Sequence, residues 1–171
     1  MQPQYVCCDA ITLVGMSFYG DPFANAPGWS QANEIGRLWA RFSAALEQGR
    51  GQIVGLRQPE EGFEVHIEPP EDRKAGNQRT VFVGVQVERI APPPLGMFFL
   101  VLPPVEYARF ALRGAEITGN WGQRIYEQWL PSSDRAEAHP YTIEWYGPRF
   151  RGMDDPTSEL EVWVPVRPRQ G

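Results

Sequence analysis

The sequence predicts an α+β fold in which two β-α-β-β modules, related by a pseudo-twofold axis, share one curved antiparallel sheet. Each half of the chain contains an alternating strand pattern, then a helical repeat, then two further strands, and this order occurs twice. The 171 residues, 42% of them hydrophobic, suffice for one domain or for two small fused modules. We therefore expect a single domain over residues 1–171, with module one at about 6–89 and module two at about 97–168.

The elements of module one are predicted from hydrophobic periodicity and from the Gly-, Pro- and Asn-rich segments that separate the periodic stretches. Residues 6–18 alternate as in a half-buried strand, and a loop rich in Gly, Pro and Asn follows at 20–30. Apolar residues then recur at helical spacing, which predicts a helix over 31–48. Two strands are expected at 63–68 and 80–89, with a charged, glycine-containing turn between them.

Module two repeats this order after the stiff segment Ala91-Pro92-Pro93-Pro94. A strand is expected over 97–112, bent at Pro103 and Pro104, followed by a helix over 120–130. Strands at 141–146 and 159–166 complete the module.

Individual residues of the two modules can be matched. The alignment makes His66 the counterpart of Glu144 and places Gly84 opposite Trp163. One such unit leaves a sheet face and its edges uncovered, whereas two units close a common core with the helices on one face. The seam between the modules is then a cleft, and such seams are preferred ligand sites.

Composition excludes several functional classes. The formal net charge of −5 and the scattered basic residues do not predict a positively charged surface for direct nucleic-acid binding. No apolar stretch is long enough to span a membrane, and no leader is visible, so we expect a cytoplasmic protein. The neighbouring Cys7 and Cys8 are expected to be structural thiols. The histidines, His66 and His139, are not expected to form a metal site, and no cofactor is expected.

Three segments resemble the gyrase-inhibitor-like effector-binding family: 117–131, 141–146 and 161–166. In the first half, Val14-Gly15 and residues 38–42 are similar to the first module of that family. This fold forms the drug-sensing domain of bacterial multidrug-responsive activators of the AraC and MerR types, and it also occurs as stand-alone proteins.

The resemblance implies a glutamate in the penultimate strand that meets the cationic group of the ligand in an aromatic cleft, and Glu144 occupies that position. It also implies aromatic or acidic residues on the last strand, matched here to Glu161 and Trp163. Because no DNA-reading domain precedes the module, we expect a stand-alone binding protein acting as a homodimer or with a separate DNA-binding partner.

Strand alternation assigns faces to the candidate site residues. Glu144 and Tyr146 share one face of their strand. On the last strand the valine-rich face is expected to pack on the helices, so Glu161 and Trp163 are expected to look into the cleft with Glu144. Trp163 is then either a ligand platform or a lid on the core.

The remaining candidates lie elsewhere in the sequence. Phe82 shares a face with Gly84, whose missing side chain either opens room for a ligand or reflects close strand packing. Phe18 and Tyr19, at the mouth of the first loop, are candidate walls or lids.

The second helix contributes a core stripe formed by Trp121, Ile125 and Trp129. Tyr126 lies beside this stripe, from where its hydroxyl can reach the cleft. His66 is interpreted as a hydrogen-bonded polar residue rather than a catalyst.

These observations predict a protein that binds amphipathic, cationic aromatic small molecules through Glu144. A hydrolase that uses Glu144 as general base beside Tyr146 or Tyr126 is the alternative. A second alternative, a protein-binding inhibitor of the gyrase type, is permitted by the acidic charge but has no local support.

Overall fold

The computed structural model describes residues 1–69, 71–72 and 78–169. The turn expected between the third and fourth strands lies mostly outside these residues. No described helix is long and apolar enough to cross a membrane. In chain order the elements are β1 Gln4–Cys8, β2 Ile11–Gly20, α1 Glu34–Gly49, β3 Gly62–Ile67, β4 Arg79–Val87, β5 Phe98–Leu102, β6 Val105–Arg113, α2 Trp121–Gln123, a π-helical turn Arg124–Trp129, α3 Leu130–Ser132, β7 Arg135–Glu137, β8 Tyr141–Tyr146 and β9 Glu159–Pro168.

Helix α1 begins later than the periodicity predicts. The side chain of Asn33 accepts a 2.8 Å hydrogen bond from the Gly36 amide, which satisfies one of the free donors of the first turn. Asn33 therefore caps the helix, and Glu34 is its first residue. The second helix, residues 121–132, runs without a break through α2, the π-helical turn and α3.

The strands form one antiparallel sheet in the order β1-β6-β9-β8-β3-β4-β2-β5, with β7 added beside β9. Every ladder among the described strands is antiparallel. The order reads symmetrically from its centre, since β3 and β8 are flanked by β4 and β9, then by β2 and β6. This symmetry confirms the predicted α+β fold of two related modules.

Each long strand predicted at the start of a module is in fact two strands. The segment 6–18 divides at Asp9-Ala10 into β1 and β2, and the segment 97–112 divides at Pro103-Pro104 into β5 and β6. β1, which precedes β2 of module one, pairs with β6 of module two. β5, which precedes β6 of module two, pairs with β2 of module one. The two modules therefore exchange their edge strands. Because such short links join strands at opposite ends of the order, the sheet must curve strongly.

The curvature produces a core on each face. One face carries the helices: α1 covers β2 and β4, while the second helix covers β6 and β9. The other face folds onto itself around a cluster drawn from both ends of the sheet, consisting of Ile11, Leu13, Phe63, Val65, Phe82, Leu102, Tyr107, Tyr141, Ile143 and Trp163.

Gly15 and Gly84 lie opposite each other where β2 crosses β4 at close range. A Cβ at Gly84 would lie 2.5 Å from the carbonyl oxygen of Val14, and one at Gly15 would overlap the carbonyl oxygen of Val83. Gly84 therefore permits close strand packing, and the hypothesis that it opens room for a ligand is wrong.

Gly15→Ala is expected to lower the free energy of unfolding by ~1–3 kcal/mol, because the added methyl group forces the two strands apart. Urea denaturation measures the change. Gly51→Ala is the matched control, since a Cβ there meets no atom within 4 Å. Equal stability of the two variants would contradict the close approach of β2 and β4.

Candidate functional site

The centre of the sheet carries a pair of buried carboxylates. Glu64 on β3 pairs directly with Glu144 on β8. Their residues are only 1% and 3% exposed. Glu64 also lies opposite Val83, and Glu144 opposite Val162. Because those valines pack beneath the helices, both carboxylates lie on the helix face of the sheet.

The helices leave the two central strands uncovered. α1 packs over β2 and β4, and the second helix packs over β6 and β9, so a cleft of about 1520 Å³ lies between them with β3 and β8 in its floor. Its lining is rich in aromatic residues, namely Phe23, Trp29, Trp39, Phe42, Trp121, Tyr126, Tyr141, Tyr146 and Phe150. The cleft therefore combines a charged floor with flat apolar walls.

Three side chains bond the carboxylate pair. Trp39 Nε1 donates to Glu64 Oε2 at 2.6 Å. The Tyr146 hydroxyl lies 3.2 Å from Glu64 Oε2 and 3.1 Å from Glu144 Oε2. His66 Nε2 lies 2.7 Å from Glu64 Oε1 and 3.4 Å from Glu144 Oε1. These contacts hold both carboxylates in one orientation.

A glycine makes the contact from α1 possible. A Cβ at Gly62 would lie 2.8 Å from Cη2 of Trp39. The indole of Trp39 also meets the ring of Tyr146 edge-on at a centroid distance of 5.1 Å. The bare backbone of Gly62 therefore lets the indole lie over the end of β3 and reach Glu64.

The electrostatics of the floor follow from burial. Burial and the neighbouring charge of Glu64 raise the pKa of Glu144, and hydrogen bonds from His66 and Tyr146 oppose that rise. Burial lowers the pKa of His66, but hydrogen bonds to Glu144 and Glu64 and the charges of both outweigh it and raise that pKa to about 10. Of the three residues that bond the pair, only His66 can carry a positive charge. The floor therefore combines two acidic side chains with one basic side chain.

Four of the predicted site residues meet in this cleft. Glu144, Tyr146 and His66 form the floor network, and Tyr126 reaches it from the second helix, where its hydroxyl bonds Thr142 Oγ1. Their placement agrees with the sequence analysis, and their role in binding a ligand stays a prediction.

The facing predicted for the last strand is wrong. Trp163 pairs with Ile143 and Glu161 with Trp145, whereas Val162 pairs with Glu144. Trp163 and Glu161 therefore lie on the face away from the cleft. The prediction assigned the helices to one face and the ligand to the other, but the cleft lies between the helices on the same face.

Trp163 belongs to the core of the opposite face. It is 5% exposed, and its ring packs against Phe63 at 6.0 Å and Tyr107 at 5.8 Å between centroids. Its Nε1 donates to Glu161 Oε2 at 2.8 Å. The guanidinium carbon of Arg109 lies 3.6 Å from the ring centroid.

The other three candidates also lie outside the cleft lining. Phe82 pairs with Val65 and is buried on the opposite face. Phe18 packs against the core beneath α1. Tyr19 is 60% exposed, and its hydroxyl donates to Asp72 Oδ1 at 3.1 Å. Alternation and nearness to a loop did not suffice to place these residues.

Sequence reasoning missed Glu64, the second carboxylate. In the sheet, Phe63 pairs with Gly84 and Ile143 pairs with Trp163. Because Gly84 and Trp163 are matched positions of the two modules, Phe63 matches Ile143. Glu64, the next residue of β3, therefore matches Glu144, the next residue of β8. His66, two residues further along β3, is not that counterpart. The signal was present, because Glu64 interrupts an apolar strand as Glu144 does. Trp29 and Phe150 were also missed, since they come from irregular segments.

A known family matches most of the chain. A family model described as "Cass2: Integron-associated effector binding protein" matches residues 6–166. The transcriptional regulator BrlR of Pseudomonas aeruginosa is 28% identical over 159 residues, which cover 92% of this chain and 52% of BrlR. The chain thus spans about half the length of this curated relative.

Solved structures share the fold at low sequence identity. The C-terminal domain of EcmrR aligns with a TM-score of 0.65 and 14% identity, over 99% of this chain and all of that one (100%). SAV2435, solved bound to tetraphenylphosphonium, aligns with a TM-score of 0.61 and 13% identity, over 98% of this chain and 94% of that one.

Proposed function

The chain belongs to the family of integron-associated effector-binding proteins, and from this premise we propose that its effector is an amphipathic, cationic aromatic small molecule. The ligand lies in the cleft between α1 and the second helix, with its positive charge over Glu64 and Glu144. One observation carries the proposal: two buried carboxylates lie side by side, with His66 bonded to both, in a cleft with aromatic walls.

The charge of the floor selects for a cation. A buried carboxylate without a partner is costly, and an incoming positive charge offsets that cost. An anion would add to the repulsion between Glu64 and Glu144. His66 already bonds both carboxylates, so a cationic ligand would share the pair with this imidazole.

The walls select for an apolar, flat body. Trp39 and Tyr146 stand over the floor, and Trp29 and Trp121 extend the wall on either side. A cation close to such rings gains ~0.5–2 kcal/mol for each favourable contact, more where water is excluded. A wide cleft of this kind restricts the charge of the ligand more strictly than its shape. We therefore propose that several cations of different shapes bind.

Two of the comparisons support the proposal. SAV2435, which shares this fold, is solved with the lipophilic cation tetraphenylphosphonium. The 28% identical BrlR is a transcriptional regulator. We propose that ligand binding here likewise serves transcription regulation.

Titration with tetraphenylphosphonium tests the proposal, with tetraphenylborate as a matched anion of the same shape. The cleft tryptophans provide the signal. We expect saturable quenching of tryptophan fluorescence by the cation, and at least about tenfold weaker binding of the anion, since like-charge contacts cost several kcal/mol. Equal affinity for the two ions would refute the role of the floor charge.

Hydrolysis is the second candidate. Its support is the Tyr146 hydroxyl at 3.1 Å from Glu144, whose raised pKa suits a general base. Incubation with labile esters and epoxides separates the two functions. Turnover that is lost in Glu144→Gln would establish a hydrolase. Saturable binding of the cation without turnover would support the binding function instead.

A further inference from the structure

Three potential metal-ligand atoms converge on the floor of the cleft. Glu64, His66 and Glu144 each offer one such atom, and these three atoms lie within 4.8 Å of one another. His66 Nε2 is 2.7 Å from Glu64 Oε1 and 3.4 Å from Glu144 Oε1. Ligand atoms around a tetrahedral zinc ion, at bonds of ~2.0–2.1 Å, are separated by about 3.3 Å. Small side-chain adjustments therefore suffice to place one ion among these three atoms.

The other oxygen of each carboxylate is already fixed. Trp39 donates to Glu64 Oε2, and the Tyr146 hydroxyl lies within hydrogen-bond distance of Oε2 of both Glu64 and Glu144. Each carboxylate thus keeps Oε1 turned towards His66. Protein metal sites show the same division, in which outer hydrogen bonds orient the ligating carboxylates.

We propose that Glu64, His66 and Glu144 form a binding site for one divalent transition-metal ion of the zinc class. Two carboxylates and one neutral imidazole balance the charge of a divalent ion, and the proton that His66 Nε2 shares with the carboxylates passes to solvent. One imidazole with two carboxylates is a donor set that zinc accepts. The cleft leaves the fourth position open to water or to a ligand.

A metal ion would occupy the same floor as the organic effector but is a different ligand. From the sequence, His66 and His139 were not expected to form a metal site. The structure places His66 between two carboxylates that are 80 positions apart in the chain (144 − 64 = 80), and the spacing of histidines alone does not show that arrangement.

Calorimetric titration of the chelator-treated full chain with zinc chloride, with no organic cation present, tests the site. We expect one ion per chain. Cobalt chloride provides a second readout, since a tetrahedral nitrogen and oxygen site gives visible d–d bands without the charge-transfer band of a thiolate ligand. That thiolate band would assign the ion to Cys7 or Cys8 and overturn the proposal, as would the absence of saturable zinc binding.

Variants locate the ion within the cleft. Tyr146→Phe removes an outer hydrogen bond and should weaken zinc roughly 10–100-fold, and His66→Gln and Glu144→Gln, which remove ligands, should weaken it more. His139→Ala is the matched control, because that histidine stacks on Tyr141 at 5.8 Å outside the cluster and should leave zinc affinity unchanged. Circular dichroism checks folding, and whichever ligand variant folds carries the test.

The possible failures are distinguishable. Zinc binding that is lost in the folded ligand variant, without binding of tetraphenylphosphonium, would support the metal site and refute the organic effector. Binding of tetraphenylphosphonium without zinc would do the reverse. Zinc affinity in that variant equal to that of the parent chain would overturn the metal site whatever the organic cation does.

Discussion

Glu144→Gln is expected to weaken the binding of tetraphenylphosphonium by roughly 30-fold or more, because loss of one buried charge of an interacting pair costs at least ~2 kcal/mol. The amide keeps the shape of the carboxylate, so the walls of the cleft remain as they are. Stability should stay nearly unchanged or rise slightly, since a buried charge beside Glu64 is removed. Fluorescence titration of the parent and variant chains measures the effect.

Glu161→Gln is the matched control. Glu161 lies on the same sheet but on the opposite face, where it accepts a hydrogen bond from Trp163. Its loss changes the net charge as much as the loss of Glu144 does, yet it should leave affinity for the cation within about twofold because solvent screens distant charges. Equal affinity of Glu144→Gln and the parent chain would remove Glu144 from the binding site.

Trp163→Ala is expected to lower the free energy of unfolding by about 3–5 kcal/mol, the usual cost of truncating a buried tryptophan. Its ring fills the core between Phe63 and Tyr107, so the substitution leaves a cavity there. Affinity for tetraphenylphosphonium should nevertheless be unchanged at temperatures where the variant is folded. Denaturant unfolding and the fluorescence titration measure the two quantities separately.

Trp29→Ala provides the opposite case. This tryptophan lines the cleft and is 37% exposed. Its substitution should reduce affinity for the cation several-fold, since one cation–π contact is worth ~0.5–2 kcal/mol. It should change the stability by less than about 1 kcal/mol, because little core is lost. If Trp163→Ala lost affinity while folded and Trp29→Ala did not, the facing of β9 described above would be wrong.

The sequence alone determined the class of fold and the order of its elements. Alternation in residues 141–146 and helical spacing in residues 31–48 are local patterns, and each is legible without the rest of the chain. The repetition of that order predicted two modules and a seam between them. A carboxylate among aromatic residues, in the segment that resembles the effector-binding family, led to Glu144.

The tertiary structure decided which residues share the cleft. Strand alternation places Trp163 and Val162 on opposite faces of the sheet. It does not say which of these two residues shares a face with Glu144, because that depends on the register between β8 and β9. The same register brings Glu64 opposite Glu144. The exchange of the edge strands β1 and β5 arises from curvature that brings the two ends of the sheet together. These are pairings between distant segments, and local periodicity carries no information about them.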